Sequence, residues 1–168
     1  PHLQYIRFGS NRIVGTVPSR LGYCPSLKEL DLSGNDLNGT IPMDLLELSL
    51  LETLSFWSNV LTGTIATEFG LLTVLKELDL GLNSLSGTLP SELAELTSLQ
   101  RLIITSAMAC CRPVFQNLTG TIPSEYGALT MLQEFDLSGC DFSGELPSEI
   151  GRMVSMRNFS LTGNSLTG

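Results

Sequence analysis

Residues 75–96 read Leu75-Lys-Glu-Leu-Asp-Leu-Gly-Leu-Asn-Ser-Leu-Ser-Gly-Thr-Leu-Pro-Ser-Glu-Leu-Ala-Glu-Leu96. Residues 27–48 read Leu27-Lys-Glu-Leu-Asp-Leu-Ser-Gly-Asn-Asp-Leu-Asn-Gly-Thr-Ile-Pro-Met-Asp-Leu-Leu-Glu-Leu48. Placed one above the other, the two stretches put apolar residues, an asparagine, a glycine and a proline at the same offsets. Working outward, the register begins at Leu3, Leu27, Leu51, Leu75, Leu99, Leu132 and Met156, with spacings of 24, 24, 24, 24, 33 and 24. Self-similarity at such a period marks a solenoid, in which one unit cannot bury its leucines alone and stacked coils share a core. Leucine supplies 32 of the 168 residues. Dividing 168 by 24 gives seven, but that quotient is a coincidence. Two leading residues, six full repeats that include an insertion at about 106–116, and a partial repeat from Met156 give the same total.

Each offset has a physical role. Around Leu30 and Leu32 apolar residues alternate, the period-two sign of a short strand with one buried face. Asn11, Asn35, Asn59, Asn83, Cys140 and Asn164 follow where the chain turns inward. A buried asparagine there must satisfy its amide and its carbonyl, and backbone groups of neighbouring coils can do so. Gly15, Gly39, Gly63, Gly87, Gly120, Gly144 and Gly168 mark a recurring tight backbone position. Prolines 18, 42, 90, 123 and 147 open a short helical or 3-10 segment on the outer side, with Ala66 the departure.

The runs Leu37-Asn-Gly-Thr-Ile-Pro42, Leu61-Thr-Gly-Thr-Ile65, Leu85-Ser-Gly-Thr-Leu-Pro90 and Leu118-Thr-Gly-Thr-Ile-Pro123 resemble the plant-type leucine-rich repeat over nearly the whole chain. The resemblance implies an α/β solenoid. It would be a right-handed superhelix of 24-residue coils with a concave parallel β-sheet, short second strands and 3-10 or short helical outer segments. Members of that family include receptor-kinase ectodomains, receptor-like proteins and polygalacturonase inhibitors, all extracellular binders. They carry cysteine-bearing caps that have no counterpart here, so a segment of a longer array is expected.

Composition narrows the function. With 15% charged residues and a mean hydropathy of +0.22, the chain is not disordered. No apolar run approaches the ~18 residues of a membrane span. A single histidine, His2, and the lack of a nucleophile–base pair, phosphate loop or metal-ligand spacing argue against an enzyme, a metal site or a cofactor. A net charge of −8 argues against nucleic acid and permits a cationic partner.

The strands would present their outward residues as a grid, with rows roughly 4.8 Å apart. Carboxylate pairs Glu29/Asp31, Glu77/Asp79 and Glu134/Asp136 recur on it and are expected to be a solvated face. Departures from the pattern are more informative. Trp57 stands where other coils have Gly, Ser or Thr, Ile103 replaces Asp or Ser, and Leu82 replaces a small residue. With Arg101, and with Tyr5 and Arg7 in the first coil, these are the candidate binding residues of the concave face, since Trp and Arg anchor interfaces. The competing expectation is that Trp57 lies flat on its neighbours. A threonine line at 16, 40, 64, 88 and 121, broken by Glu145, fits a second strand better than an ice lattice.

The insertion carries Met108, Val114 and Phe115, too apolar for a plain solvated loop, and these with Arg112 are its candidate binding residues. It is expected to fold back on the array or else to meet a partner. Cys24 sits in a leucine slot as a buried thiol. A bridge from Cys110 or Cys111 to Cys140, a vicinal Cys110–Cys111 bridge, and free thiols all fit the spacing. Asn38, Asn117 and Asn158 begin N-x-S/T sequons and are candidate glycosylation sites.

The sequence thus points to an extracellular or cell-surface module that recognises a protein or peptide, alone or within a larger complex. The alternatives are a rigid spacer or accessory subunit, an inhibitor of a secreted enzyme, and ice binding.

Overall fold

The computed structural model describes residues 2–106 and 117–168. Three-residue strands Tyr5–Arg7, Glu29–Asp31, Thr53–Ser55, Glu77–Asp79, Arg101–Ile103, Glu134–Asp136 and Asn158–Ser160 form one parallel seven-stranded sheet in chain order. Between them run second strands from Val14–Thr16 to Ser165–Thr167, which form another seven-stranded parallel sheet. Six five-residue 3-10 segments complete the coils: Ser19–Tyr23, Met43–Glu47, Thr67–Leu71, Ser91–Glu95, Ser124–Ala128 and Ser148–Arg152. The expected solenoid, with its concave sheet, second strands and 3-10 outer segments, is what the chain forms.

The 3-10 segments begin directly after Pro18, Pro42, Ala66, Pro90, Pro123 and Pro147. Ala66 takes φ −74 and ψ 148, close to the φ −67 and ψ 134 of Pro42, so the proline is helpful and not required. Each segment is too short for α-helix and closes through i→i+3 bonds such as Leu45 N to Pro42 O (3.1 Å).

The core is a column of leucines. Leu27, Leu51, Leu75, Leu99 and Leu132 are fully buried, as are Leu30, Leu54, Leu78, Leu102 and Phe135 one strand-turn later. Burying each such side chain contributes roughly 1.5–3 kcal/mol before chain entropy is set against it. Tyr126, in a slot held elsewhere by leucine, phenylalanine or isoleucine, is fully buried and donates its hydroxyl to Pro90 O at 3.0 Å. Burial raises its pKa.

The asparagine ladder closes this core. Asn83 Oδ1 accepts from Leu61 N (3.1 Å), while its amide donates to Phe56 O, Leu80 O and Gly81 O. Asn35, Asn59 and Asn164 make the same links to the preceding coil, each with Oδ1 on the backbone N–H 22 residues earlier. Cys140 holds this position with a thiol: its Sγ–H donates to Ile104 O at 3.3 Å, the carbonyl that an asparagine amide would reach. It is a free cysteine, buried, with its pKa pushed up to about 12 by burial and by Asp136. The proposed bridging partners Cys110 and Cys111 lie outside the described residues. Cys24 is also free, and it is half-buried rather than buried, because its neighbours at the first coil leave it partly open.

The two sheets pair differently. Concave strands pair residues 24 apart, as in Tyr5 with Glu29 and Thr53 with Glu77, and 33 apart across the insertion. Second strands pair residues 22 apart, as in Val14 with Asp36 and Gly63 with Leu85, and 31 apart across the insertion. A stagger of two keeps every side chain on its own face, whereas a stagger of one would turn the leucines outward.

Candidate functional site

On the concave sheet, three adjacent strands bring together the residues that depart from the repeat. Ser55, Asp79 and Ile103 lie side by side in register. Two residues beyond Ser55 and Asp79 stand Trp57 and Gly81. A Cβ on Gly81 would lie 3.2 Å from Trp57 Cδ1 and 2.7 Å from Thr105 Oγ1, so glycine makes the room that the indole occupies. Trp57 remains 41% exposed. It rests along its neighbour while presenting surface to solvent, which combines the two expectations for it.

Leu82 follows at φ +53, in a column where Ser10 (φ 56), Gly34 (φ 60) and Ser58 (φ 55) also adopt the left-handed region. A branched side chain is strained there, by roughly 1–2 kcal/mol. It is half-buried, as are Ile103 and Arg101.

The carboxylate pairs are not simply solvated. Asp31 Oδ1 accepts from Ser33 N, Asp79 Oδ1 from Gly81 N and Asp136 Oδ1 from Ser138 N, so the aspartates tie the turn that follows each strand. The glutamates are ion-paired. Arg101 bridges coils, with Nη1 on Glu77 (2.6 Å) and Nε on Glu134 (2.8 Å), and Arg7 pairs with Glu29. The expectation of a solvated face is corrected: half-burial obliges these groups to find partners. Asp79 differs again. Burial pushes its carboxyl up to about 6, against the pull of the Gly81 amide and Arg101.

Tyr5 and Arg7 do not join this group. Arg7 stacks over the Tyr5 ring at 5.2 Å on the edge strand, two strands from Thr53–Ser55. Met108, Arg112, Val114 and Phe115 lie outside the described residues. The sequon residues Asn38 and Asn117 are exposed on the second sheet, and Asn158 is exposed on the last concave strand. Asp79 was named from sequence only within a carboxylate pair, and Gly81 was not singled out. The available signal was Gly81 standing where Ser33 and Ser138 stand in other coils.

Among the described residues, no group of three or more His, Cys, Asp or Glu is placed to hold a metal ion. Nor is any helix among them long and apolar enough to cross a membrane.

A parallel concave sheet, an asparagine ladder and a glycine-marked second sheet define the leucine-rich-repeat class. The Leucine Rich Repeat family profile matches residues 26–48, 74–96 and 131–153. Among solved structures, the ectodomain of the Arabidopsis thaliana receptor kinase GASSHO1/SCHENGEN3, in complex with CASPARIAN STRIP INTEGRITY FACTOR 2, is 35% identical with a TM-score of 0.90; the match covers 99% of this chain and 19% of that one. The Arabidopsis receptor kinase HAESA, in complex with the peptide hormone IDA and the co-receptor SERK1, is 31% identical with a TM-score of 0.91, over 100% of this chain and 26% of that one. A chain of the BIR3–SERK2 complex from Arabidopsis thaliana is 33% identical with a TM-score of 0.61, over 97% and 69%. No match is found among curated proteins. The chain belongs to the leucine-rich-repeat family in its plant-type form. It spans about a fifth to a quarter of the first two receptors' length.

Proposed function

We propose that this chain is a non-catalytic recognition module of an extracellular or cell-surface protein. It takes a peptide or protein segment on the concave face, with the insertion at 106–116 as a flanking contact. The observation that carries this reading is the placement of Trp57, Leu82, Arg101 and Ile103 along three adjacent strands, and the turns that follow them, of an otherwise repetitive sheet. Scaffold needs alone select leucine, asparagine and glycine; they do not select an exposed tryptophan beside a glycine that accommodates it. Peptide binding by HAESA is consistent with this use of the fold. Exposure of the three sequon asparagines is consistent with passage through the secretory pathway.

The test is a displayed random-peptide library selected on the protein, with calorimetric titration of the recovered peptides. Trp57→Ala should weaken binding about tenfold or more while changing stability by less than about 1 kcal/mol. Unchanged affinity would instead favour the runner-up, a rigid spacer or accessory subunit. That reading draws on the interlocked second sheet, where Thr40 Cγ2 comes within 2.9 Å of a Cβ built on Gly63.

A further inference from the structure

Asp31, Asp79 and Asp136 each accept the backbone amide two residues on, and they differ in what else surrounds the carboxylate. Asp136 Oδ1 takes the Ser138 amide and also the Ser138 hydroxyl, which in turn contacts Ser160 Oγ at 2.6 Å. Asp79 has Gly81 in place of that serine. Its Oδ1 accepts the Gly81 amide at 3.0 Å, and glycine offers it no side-chain hydroxyl of the kind Ser138 gives Asp136. Ile103 pairs with Asp79 where the repeat would place a polar residue, with the Thr105 hydroxyl two residues beyond it. The Trp57 ring lies on the other side of Gly81.

The charges around Asp79 do not balance. Arg101 is the basic group facing it, and that guanidinium is held by Glu77 and Glu134. Three carboxylates against one guanidinium leave surplus negative charge beside an exposed aromatic ring. The adjoining strand Thr53–Ser55 brings no charge, and Asp136, across Ile103, adds another negative one. A cation is therefore the missing element. Tryptophan faces attract cations within about 6 Å of the ring centroid.

We propose that this patch is a socket for a peptide or protein segment presenting a lysine or arginine side chain next to an apolar one. The cation sits between the Asp79 carboxylate and the Trp57 ring, and the apolar side chain packs against Ile103 and Leu82. This rests on the concave-face reading above and adds the chemistry of its ligand. A socket that depends on ionised Asp79 is sensitive to acid. Burial holds that carboxyl up at about 6, so it is charged above that pH and loses its charge as pH falls through it. Binding is then strongest at neutral pH and weakens in acid.

Trp57 is the one tryptophan of the chain, so its fluorescence reports the socket directly. Peptides selected from the displayed library at about pH 7.5 should pair a basic residue with a leucine, isoleucine or aromatic residue. Their affinity should fall about tenfold at about pH 5. Asp79→Asn keeps the acceptor for the Gly81 amide; it should weaken binding about tenfold or more and abolish the pH dependence. Asp136→Asn, at the same repeat position outside the socket, should leave affinity within about twofold. A second variant, Ile103→Asp, extends the carboxylate row and should shift selection toward purely basic peptides.

Enrichment of acidic or uncharged peptides overturns the cation socket, as does full affinity in Asp79→Asn. If those same peptides still depend on Trp57, the broader concave-face reading stands. If they bind Trp57→Ala as well as the native protein, both readings fall.

Discussion

Along the second sheet, Thr16, Thr40, Thr64, Thr88 and Thr121 each place a methyl against the glycine of the next coil: Gly39, Gly63, Gly87, Gly120 and Gly144. The distances from Cγ2 to a Cβ built on those glycines are 3.1, 2.9, 3.1, 3.0 and 3.0 Å. Along the concave sheet the corresponding column runs Gly9, Ser33, Trp57, Gly81 and Thr105, and its chemistry changes at every step. The difference separates two demands. Where the same contact recurs unchanged, the chain is satisfying the stacking of coils. Where neighbouring positions depart together, as Trp57 does with Gly81 and Ile103, the stacking of coils does not call for the tryptophan, and the proposed ligand would.

The comparison can be broken most severely at the ladder both sheets depend on. Asn83→Ala should destabilise the protein by about 3 kcal/mol, because Leu61 N and the carbonyls of Phe56, Leu80 and Gly81 lose their buried partner. Chemical denaturation measures this, and a loss under 1 kcal/mol would show that water replaces the amide.

Next in size is the threonine–glycine contact. Gly63→Ala places a Cβ at φ +89 and 2.9 Å from Thr40 Cγ2, for an expected loss of about 2 kcal/mol. Adding Thr40→Ser should recover about half, since the hydroxymethyl can turn away where the methyl cannot. Additive losses in that double-mutant cycle would mean the two sites do not touch.

The smallest effect belongs to the concave side. Leu82→Gly should change stability by less than about 1 kcal/mol, relief of the left-handed strain offsetting the lost half-burial. The same truncation at fully buried Leu85 should cost about 3 kcal/mol or more. Thermal unfolding of the pair decides it, and equal losses would show Leu82 to be scaffold.

Much of this was legible beforehand for a physical reason. A repeat imposes the same local problem in every coil, so the solution recurs at fixed spacing and can be recognised. The asparagine ladder, the glycine positions and the strand periodicity all follow from that. Cys140 was legible as a ladder residue, but not as a thiol donating to Ile104 O, because sulfur geometry depends on the coil behind it. The carboxylates looked like filler because their partner is distant in the chain: Arg101 lies 24 residues from Glu77 and 33 from Glu134.

By itself, then, the sequence determined the solenoid: leucine spacing, an asparagine recurring at the inward turn of most coils and glycine at left-handed positions leave one way to bury the core. Only the tertiary structure decided the stagger of 22 against 24 between the sheets. It alone set Gly81 beside Trp57 and left Asp79 without the hydroxyl that Asp136 enjoys. Those outcomes depend on which residues of neighbouring coils come to lie side by side, and a linear repeat does not display that adjacency.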